Sequence, residues 1–206
     1  MKRGALIIIE GVDRTGKSTQ ARMLVENLKK KNIQAEYTNF PARDTEVGKI
    51  INNYLQLKNE LSDEVVHLLF SANRWERAKS IIKTLEAGIT VIVDRYCYSG
   101  VAFSAAKGNI ILYFKFIISS VHYKVFFLTM PVDSIKQRNG FGNERYEVLS
   151  FQQKVSEIYS KLKEDNWEIV DASRPIDTIQ EDMLEQTLNI VNVASDKNIE
   201  KLWTQG

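Results

Sequence analysis

The chain is poor in the residues that staple, break or loosen a fold. One cysteine, Cys97, in 206 residues excludes an internal disulfide framework and fits a reducing compartment. Three prolines and ten glycines leave little room for linkers or disordered tracts. An excess of one charge is also missing. The 28 Lys and Arg against 26 Asp and Glu leave a formal net charge of +2, which gives no bulk electrostatic case for a nucleic-acid or membrane partner. The two histidines, His67 and His122, stand alone in apolar settings, so structural roles are expected and no His or Cys nucleophile stands out. The four residues before the first apolar run do not have the pattern of a targeting segment, and none is expected. A cytoplasmic location is therefore the expectation, with nucleus and mitochondrion as alternatives. The one long apolar stretch, Ile110 to Met130, carries Lys115, His122 and Lys124. A charge at the bilayer centre costs about 2.5–3.5 kcal/mol, so no spanning helix is expected there.

What remains is an ordinary globular composition, 44% hydrophobic and 26% charged, and a length suited to one substantial core. No repeat or linker divides the chain, and a single domain over residues 1–206 is expected. Five short apolar runs read as strands: Ala5–Ile9, Ile33–Thr38, Ile89–Val93, Val125–Thr129 and Trp167–Val170. Helical periodicity lies between and after them, over Thr19–Lys31, Glu46–Leu55, Ser62–Ala87, Leu149–Lys163 and Ile176–Val193. Ser62 is placed as an N-cap and Gly88 as a C-terminal stop. Alternating strand and helix argues for an α/β fold, a parallel sheet covered on both faces. Ligands of such sheets bind at the carboxyl ends of the strands.

The chemistry is concentrated where that rule puts it. Gly11-Val12-Asp13-Arg14-Thr15-Gly16-Lys17-Ser18 fits G-x-x-x-x-G-K-[ST] between the first strand and the first helix. In this pattern the glycines let successive N–H groups converge on phosphate, and the helix N-terminus adds partial positive charge. Lys17 would reach the β- and γ-phosphates, and the Ser18 hydroxyl would bind Mg²⁺. Asp94 ends the third strand beside this loop, a position from which a carboxylate completes a Mg²⁺ shell. Arg14, Arg43, Arg74, Arg95, Arg138 and Arg145 supply guanidinium forks in or near the loops. Phosphoryl transfer needs this positioning and charge neutralisation more than it needs a nucleophile. The glycine-bearing stretch 139–143, flanked by arginines, suits a short lid at about 136–148 that excludes water. A GTP-dependent switch would need an N/T-K-x-D base motif, and none occurs.

With these residues in view the chain resembles the thymidylate kinases of the eukaryotic and poxvirus type. The likeness rests on Arg3-Gly4-Ala5-Leu6-Ile7 leading into Glu10-Gly11-Val12-Asp13-Arg14, and on Phe40-Pro41-x-Arg43. It continues through Leu68-Leu69-Phe70-Ser71-Ala72-Asn73-Arg74-Trp75-Glu76, then Asp94-Arg95-Tyr96 with Ser99-Gly100-Val101-Ala102-Phe103. Glu144-Arg145-Tyr146-Glu147 with Phe151-Gln152, and Val170-Asp171-Ala172-Ser173, complete it. The resemblance implies a three-layer P-loop NTPase fold with a five-stranded parallel sheet, a homodimer, and Mg²⁺-dependent transfer from ATP to dTMP. It implies that Arg14 clamps the transferring phosphoryl, with Lys17, Asp13 and Arg95 as its catalytic companions. Thr15, Gly16, Lys17, Ser18, Thr19, Arg138 and Arg174 would serve ATP, Arg174 near the adenine. Asp13 would hold the sugar 3′-hydroxyl of dTMP, and Arg43 and Arg95 its phosphate. Phe70 would stack on thymine, Arg74 would bond a thymine carbonyl, and Phe103 would crowd the 2′ position. Tyr146 and Gln152 would close over the acceptor, with Phe40 and Gly100 also on the dTMP side. Ser18 and Asp94 would hold the metal. By default, periodicity alone would put Phe70 and Trp75 in the core.

One segment departs from the family pattern. Where the family carries a helix and a Gly-Leu-Pro-x-Pro-Asp turn, residues 109–124 contain neither Pro nor Asp and are rich in Ile, Phe and Tyr. That composition favours strand over helix. Two readings are open: a divergent element docked on the core or a partner, or sequence foreign to a functional product. The second would make the chain a catalytically impaired nucleotide-binding relative. A kinase for another nucleotide or deoxynucleoside is the remaining alternative.

Overall fold

The architecture follows from β1 (Leu6–Gly11), in which all six residues are buried. A strand buried on both sides needs cover on both sides. Its alternating side chains divide accordingly: Leu6 and Ile8 enter one apolar cluster, Ile7 and Ile9 another. In this computed structural model residues 3–108, 123–137 and 141–194 are described. Four further strands join β1: β2 (Ala35–Asn39), β3 (Thr90–Asp94), β4 (Tyr123–Thr129) and β5 (Trp167–Asp171). The order is β2-β3-β1-β4-β5 and every pairing is parallel.

Helices α1 (Lys17–Lys30) and α7 (Ile176–Ala194) cover one face, packing Leu24, Leu28, Ile179 and Met183 against Ile7, Ile92 and Phe126. On the other face α3 (Asp63–Glu86), α4 (Cys97–Ala106) and α6 (Leu149–Leu162) bring Ile81, Leu85, Ala102, Val155 and Tyr159 onto Ile8, Val93 and Val125. The remaining helices are α2 (Glu46–Leu55) and the short α5 (Val132–Lys136). A third cluster, Ile51, Tyr54, Leu55, Val66 and Tyr146, ties α2 and α3 to the segment before α6. This is the three-layer α/β architecture expected.

The expected strands stand within two residues of their observed bounds. Ser62 caps α3 by accepting from the Val65 N–H at 3.5 Å, and Gly88, at φ 84, follows the helix end. Three expectations need correction or completion. Helix α4 was unforeseen: Cys97–Ala106 contains Gly100 and shows no polar–apolar period. Its first turn is held from outside, because Glu10 at the end of β1 accepts from the Tyr96 N–H at 2.8 Å and the Ser99 N–H at 3.1 Å. A carboxylate there satisfies orphan donors and complements the helix dipole. Trp75 is not core but 47% exposed, and Leu68 is 63% exposed. Helix α3 instead buries Val66, Asn73, Arg74, Ala78, Ile81 and Leu85, so its apolar residues belong to more than one face. The departing segment lies outside the described residues apart from Tyr123 and Lys124, which begin β4.

Candidate active site

The strand order puts the carboxyl ends of β2, β3 and β1 side by side, with Ile9 in register with Asp94 and Asn39 also opposite Asp94. A cavity of about 690 Å³ opens there, bounded by α3, α4 and residues 144–147. That volume suits small-molecule ligands.

The phosphate loop has the backbone its sequence demands. Gly11 has φ 145, and a Cβ there would meet the Leu128 carbonyl oxygen at 2.4 Å. Gly16, the N-cap of α1, has φ 89, no side chain caps that helix, and its first turn holds no acid. The N–H groups and dipole of α1 are thus left open to an anion. Arg14 and Arg95 both adopt left-handed backbones, at φ 62 and φ 65, a strained conformation for residues with a Cβ.

Lys17 is buried and folds back on its own loop, its Nζ donating to the Val12 carbonyl at 2.5 Å. Burial pushes the ammonium down to about 7, with the Arg95 charge adding to the shift and nearby carboxylates opposing it. Phosphate favours the charged form, so nucleotide binding should draw a proton onto Lys17 wherever the free chain leaves it neutral. At about pH 8, ATP binding is expected to take up a proton, and the uptake should vanish below about pH 6, where the lysine is already charged. Calorimetry in buffers of differing ionisation enthalpy measures it.

Ser18 donates its hydroxyl to Oδ2 of Asp94, and the Tyr37 hydroxyl donates to the same oxygen at 3.2 Å. Burial and the Asp94 charge push the Tyr37 hydroxyl up to about 12, which keeps it a donor. Among the described residues no cluster of three or more His, Cys, Asp or Glu could hold a metal. A serine hydroxyl and one carboxylate beside a phosphate loop nevertheless fit Mg²⁺, a hard cation that keeps waters and takes phosphate oxygens as ligands.

The arginines that line the cavity meet carboxylates, with one exception. Arg95 pairs with Asp13 and donates to the Gly11 carbonyl at 3.0 Å. Gln152, fully buried and outside the cavity, holds the other Asp13 oxygen at 2.6 Å and accepts from the Asp13 N–H at 2.8 Å. Arg14 pairs with Glu147 at 2.6 Å. The second Glu147 oxygen gathers the N–H groups of Gly142, Asn143 and Glu144 at 2.9, 2.9 and 3.3 Å. Arg43 reaches Glu144 at 2.7 Å and Asn52 at 2.8 Å.

Arg74 is the exception. It is 5% exposed, lines the cavity, and among the described residues meets no hydrogen-bond or ion-pair partner. Burial pushes the Arg74 guanidinium down from its ordinary value, and the Cys97, Tyr96 and Glu10 groups only partly oppose that. A buried cation without a partner costs several kcal/mol, so its position makes sense as a waiting donor. Gly100 makes the room: a Cβ there would sit 2.8 Å from Arg74 Nη1. Phe70, Phe103, Phe40 and Tyr146 line the same cavity, and Phe103 stacks edge-on to Tyr146 at 5.4 Å.

The thymidylate kinase family model matches residues 9–183. The chain belongs to the thymidylate kinase family. It is 43% identical to the human thymidylate kinase over 208 residues, covering 98% of each chain. It is 47% identical over 164 residues to the putative thymidylate kinase 251L of Invertebrate iridescent virus 6, covering 79% of this chain and 77% of that one. The solved thymidylate kinase from Candida albicans superposes with a TM-score of 0.83 at 36% identity, covering 95% of each chain.

In this member of the thymidylate kinase family the phosphate loop and Arg43, Phe70, Arg74, Asp94, Arg95, Gly100, Phe103 and Tyr146 come together around one cavity. Thr15 is buried beneath its loop, donating to the Val12 carbonyl at 3.0 Å, while Gly16, Ser18 and Thr19 line the opening. Arg174 lies apart from the cavity, half-buried and paired with Asp182 at 2.7 Å. Arg138 and His122 fall outside the described residues. The histidine expectation changes for His67: it faces the cavity, and its Nδ1 is 2.8 Å from the Ser104 hydroxyl. Burial pushes Cys97 up to about 12, so the lone thiol is not a nucleophile. The sequence pattern gives no sign of roles for Tyr37, Glu144 and Glu147, whose contacts with Asp94, Arg43 and Arg14 span long separations in the chain. No helix among the described residues is long and apolar enough to cross a membrane.

Proposed function

We infer that this chain transfers the γ-phosphoryl group of ATP to the 5′-phosphate of dTMP, giving ADP and dTDP. The observation that carries the reading is Arg74, a buried, unpartnered guanidinium facing the cavity that the phosphate loop opens into. A fork at that depth suits a ligand carbonyl. Phe70 offers a face on which a thymine can stack, and Phe103 bounds the sugar.

The acceptor phosphate is already a nucleophile, since its second pKa is about 6. No general base is needed, which accounts for a site without a catalytic His or Cys. Arg43 and Arg95 grip that phosphate. The Arg43–Glu144 pair is partly exposed and gives way to a ligand at little cost. Asp13, fixed by Arg95 and Gln152, orients the sugar 3′-hydroxyl. Lys17 and the N–H groups of α1 hold the donor phosphates, with Thr15, Gly16, Thr19, Arg138 and Arg174 on the same nucleotide. Arg14 neutralises charge on the transferring group, and Tyr146 closes over the acceptor. Ser18 and Asp94 hold Mg²⁺, which when bound neutralises charge on the β- and γ-oxygens.

We read residues 1–206 as a single kinase domain, working in the cytoplasm as a homodimer. Val65, Leu68 and Trp75 are exposed on α3 at 42%, 63% and 47%, spaced i, i+3 and i+10, away from His67, Phe70 and Arg74. An apolar stripe on the side opposite the cavity suits a second copy of the chain. Leu68→Glu is expected to halve the mass seen by light scattering and to leave the fold intact. A coupled ADP-release assay with ATP, Mg²⁺ and dTMP, against dUMP, dCMP, dGMP, AMP and thymidine, tests the activity. Turnover selective for dTMP is the expected result. ATP binding without turnover on any acceptor would overturn it in favour of an impaired relative.

A further inference from the structure

Asp94 has a companion that the phosphate-loop pattern does not supply. Tyr37 sits on β2, in register with Ile92 of β3, on the face that α1 covers. Its ring is fixed between sheet and helix, with the Arg22 guanidinium carbon 4.3 Å above the ring centroid. That packing aims the hydroxyl at Oδ2 of Asp94 at 3.2 Å. The Ser18 hydroxyl donates to the same oxygen. Among the described residues no donor is placed on Oδ1. Two donors converge on one carboxylate oxygen and leave the other open.

We propose that Tyr37 is a positioning residue for the divalent-cation site, holding Asp94 by one oxygen so that the other is presented to the cation's shell. The inference rests on the reading of Ser18 and Asp94 as the residues that hold the cation. Ser18 cannot orient Asp94 alone as well, because its oxygen must also face the cation. Tyr37 touches neither nucleotide phosphate nor metal. It acts through Asp94, as partners of metal-binding carboxylates do.

Tyr37→Phe isolates the effect. It keeps the ring and its contact with Arg22 and removes only the hydroxyl. The measurement is Mn²⁺ binding to the ADP-bound chain, read from the free Mn²⁺ electron paramagnetic resonance signal. The expected result is about tenfold weaker Mn²⁺ binding, the low end for loss of such a partner. ADP affinity in the presence of EDTA and the KM for dTMP should be unchanged, and excess Mg²⁺ should restore kcat. A purely structural role would not give a defect that the cation rescues. Asp94→Asn serves as the reference. If it weakens Mn²⁺ binding while Tyr37→Phe does not, the assignment of Tyr37 is overturned and the cation site stands. If neither weakens it, the Ser18–Asp94 site falls, and the assignment of Tyr37 falls with it.

Discussion

Arg14→Ala is expected to lower kcat by about 10³-fold or more, with the KM for dTMP changing by no more than a few-fold. The transferring phosphoryl spreads negative charge over its oxygens, and a guanidinium aimed at it is worth about 10³–10⁵ in rate. Arg14 reaches the site from the phosphate loop itself, on a left-handed backbone at φ 62. Its resting partner is Glu147, at 2.6 Å. Glu147 keeps the N–H groups of Gly142, Asn143 and Glu144 when Arg14 is removed, so the segment before α6 retains its turn. The loss should therefore appear in the chemical step and not in folding. Arg14→Lys is expected to recover little, because an ammonium cannot replace the planar fork. Single-turnover kinetics separate chemistry from product release, and a rate within tenfold of the unaltered chain would remove Arg14 from the mechanism.

The second large effect has opposite signs for stability and function. Arg74→Met is expected to raise the KM for dTMP by about 10²–10³-fold, the loss of one or two charge-assisted hydrogen bonds worth about 1.5–3 kcal/mol each. The same change should stabilise the ligand-free chain. Arg74 is buried with no hydrogen-bond or ion-pair partner among the described residues, and exchanging a buried charge for an apolar side chain of similar length relieves a desolvation cost. A gain of about 1–2 kcal/mol corresponds to about 2–8 °C in Tm for a chain of this size. ATP affinity should not move, since in the proposed reading Arg74 meets only the acceptor base. Scanning calorimetry and dTMP titration on the same preparation decide the matter. A destabilised variant that still binds dTMP would make Arg74 a structural group. The expected result, a more stable chain with weaker dTMP binding, is the usual exchange of stability for function at a binding position.

What could be read ahead of the structure was whatever is encoded in neighbouring residues. The phosphate loop is a contiguous string whose glycines, lysine and serine do their work within one strand-to-helix turn, so Gly11, Gly16, Lys17 and Ser18 were identifiable from spacing. The strands β1 to β5 were identifiable because a sheet covered on both faces forces unbroken apolar runs. Trp75 went wrong because periodicity counts apolar positions without knowing how many faces of α3 meet protein. Phe70 and Arg74 acquired roles from the family likeness and not from their pattern.

By itself, then, the sequence determined a phosphate-binding α/β chain, its family, and the residue types at its site, since these depend on local backbone chemistry and on hydrophobic period. Only the tertiary structure decided which groups act together. Glu10 reaching the start of α4, Glu147 linking Arg14 to the turn before α6, Tyr37 and Ser18 sharing one oxygen of Asp94, and the isolation of Arg74 all span long separations along the chain. Such pairings depend on which strands lie adjacent, and that order is set by the packing of both sheet faces at once, which no short window of sequence contains.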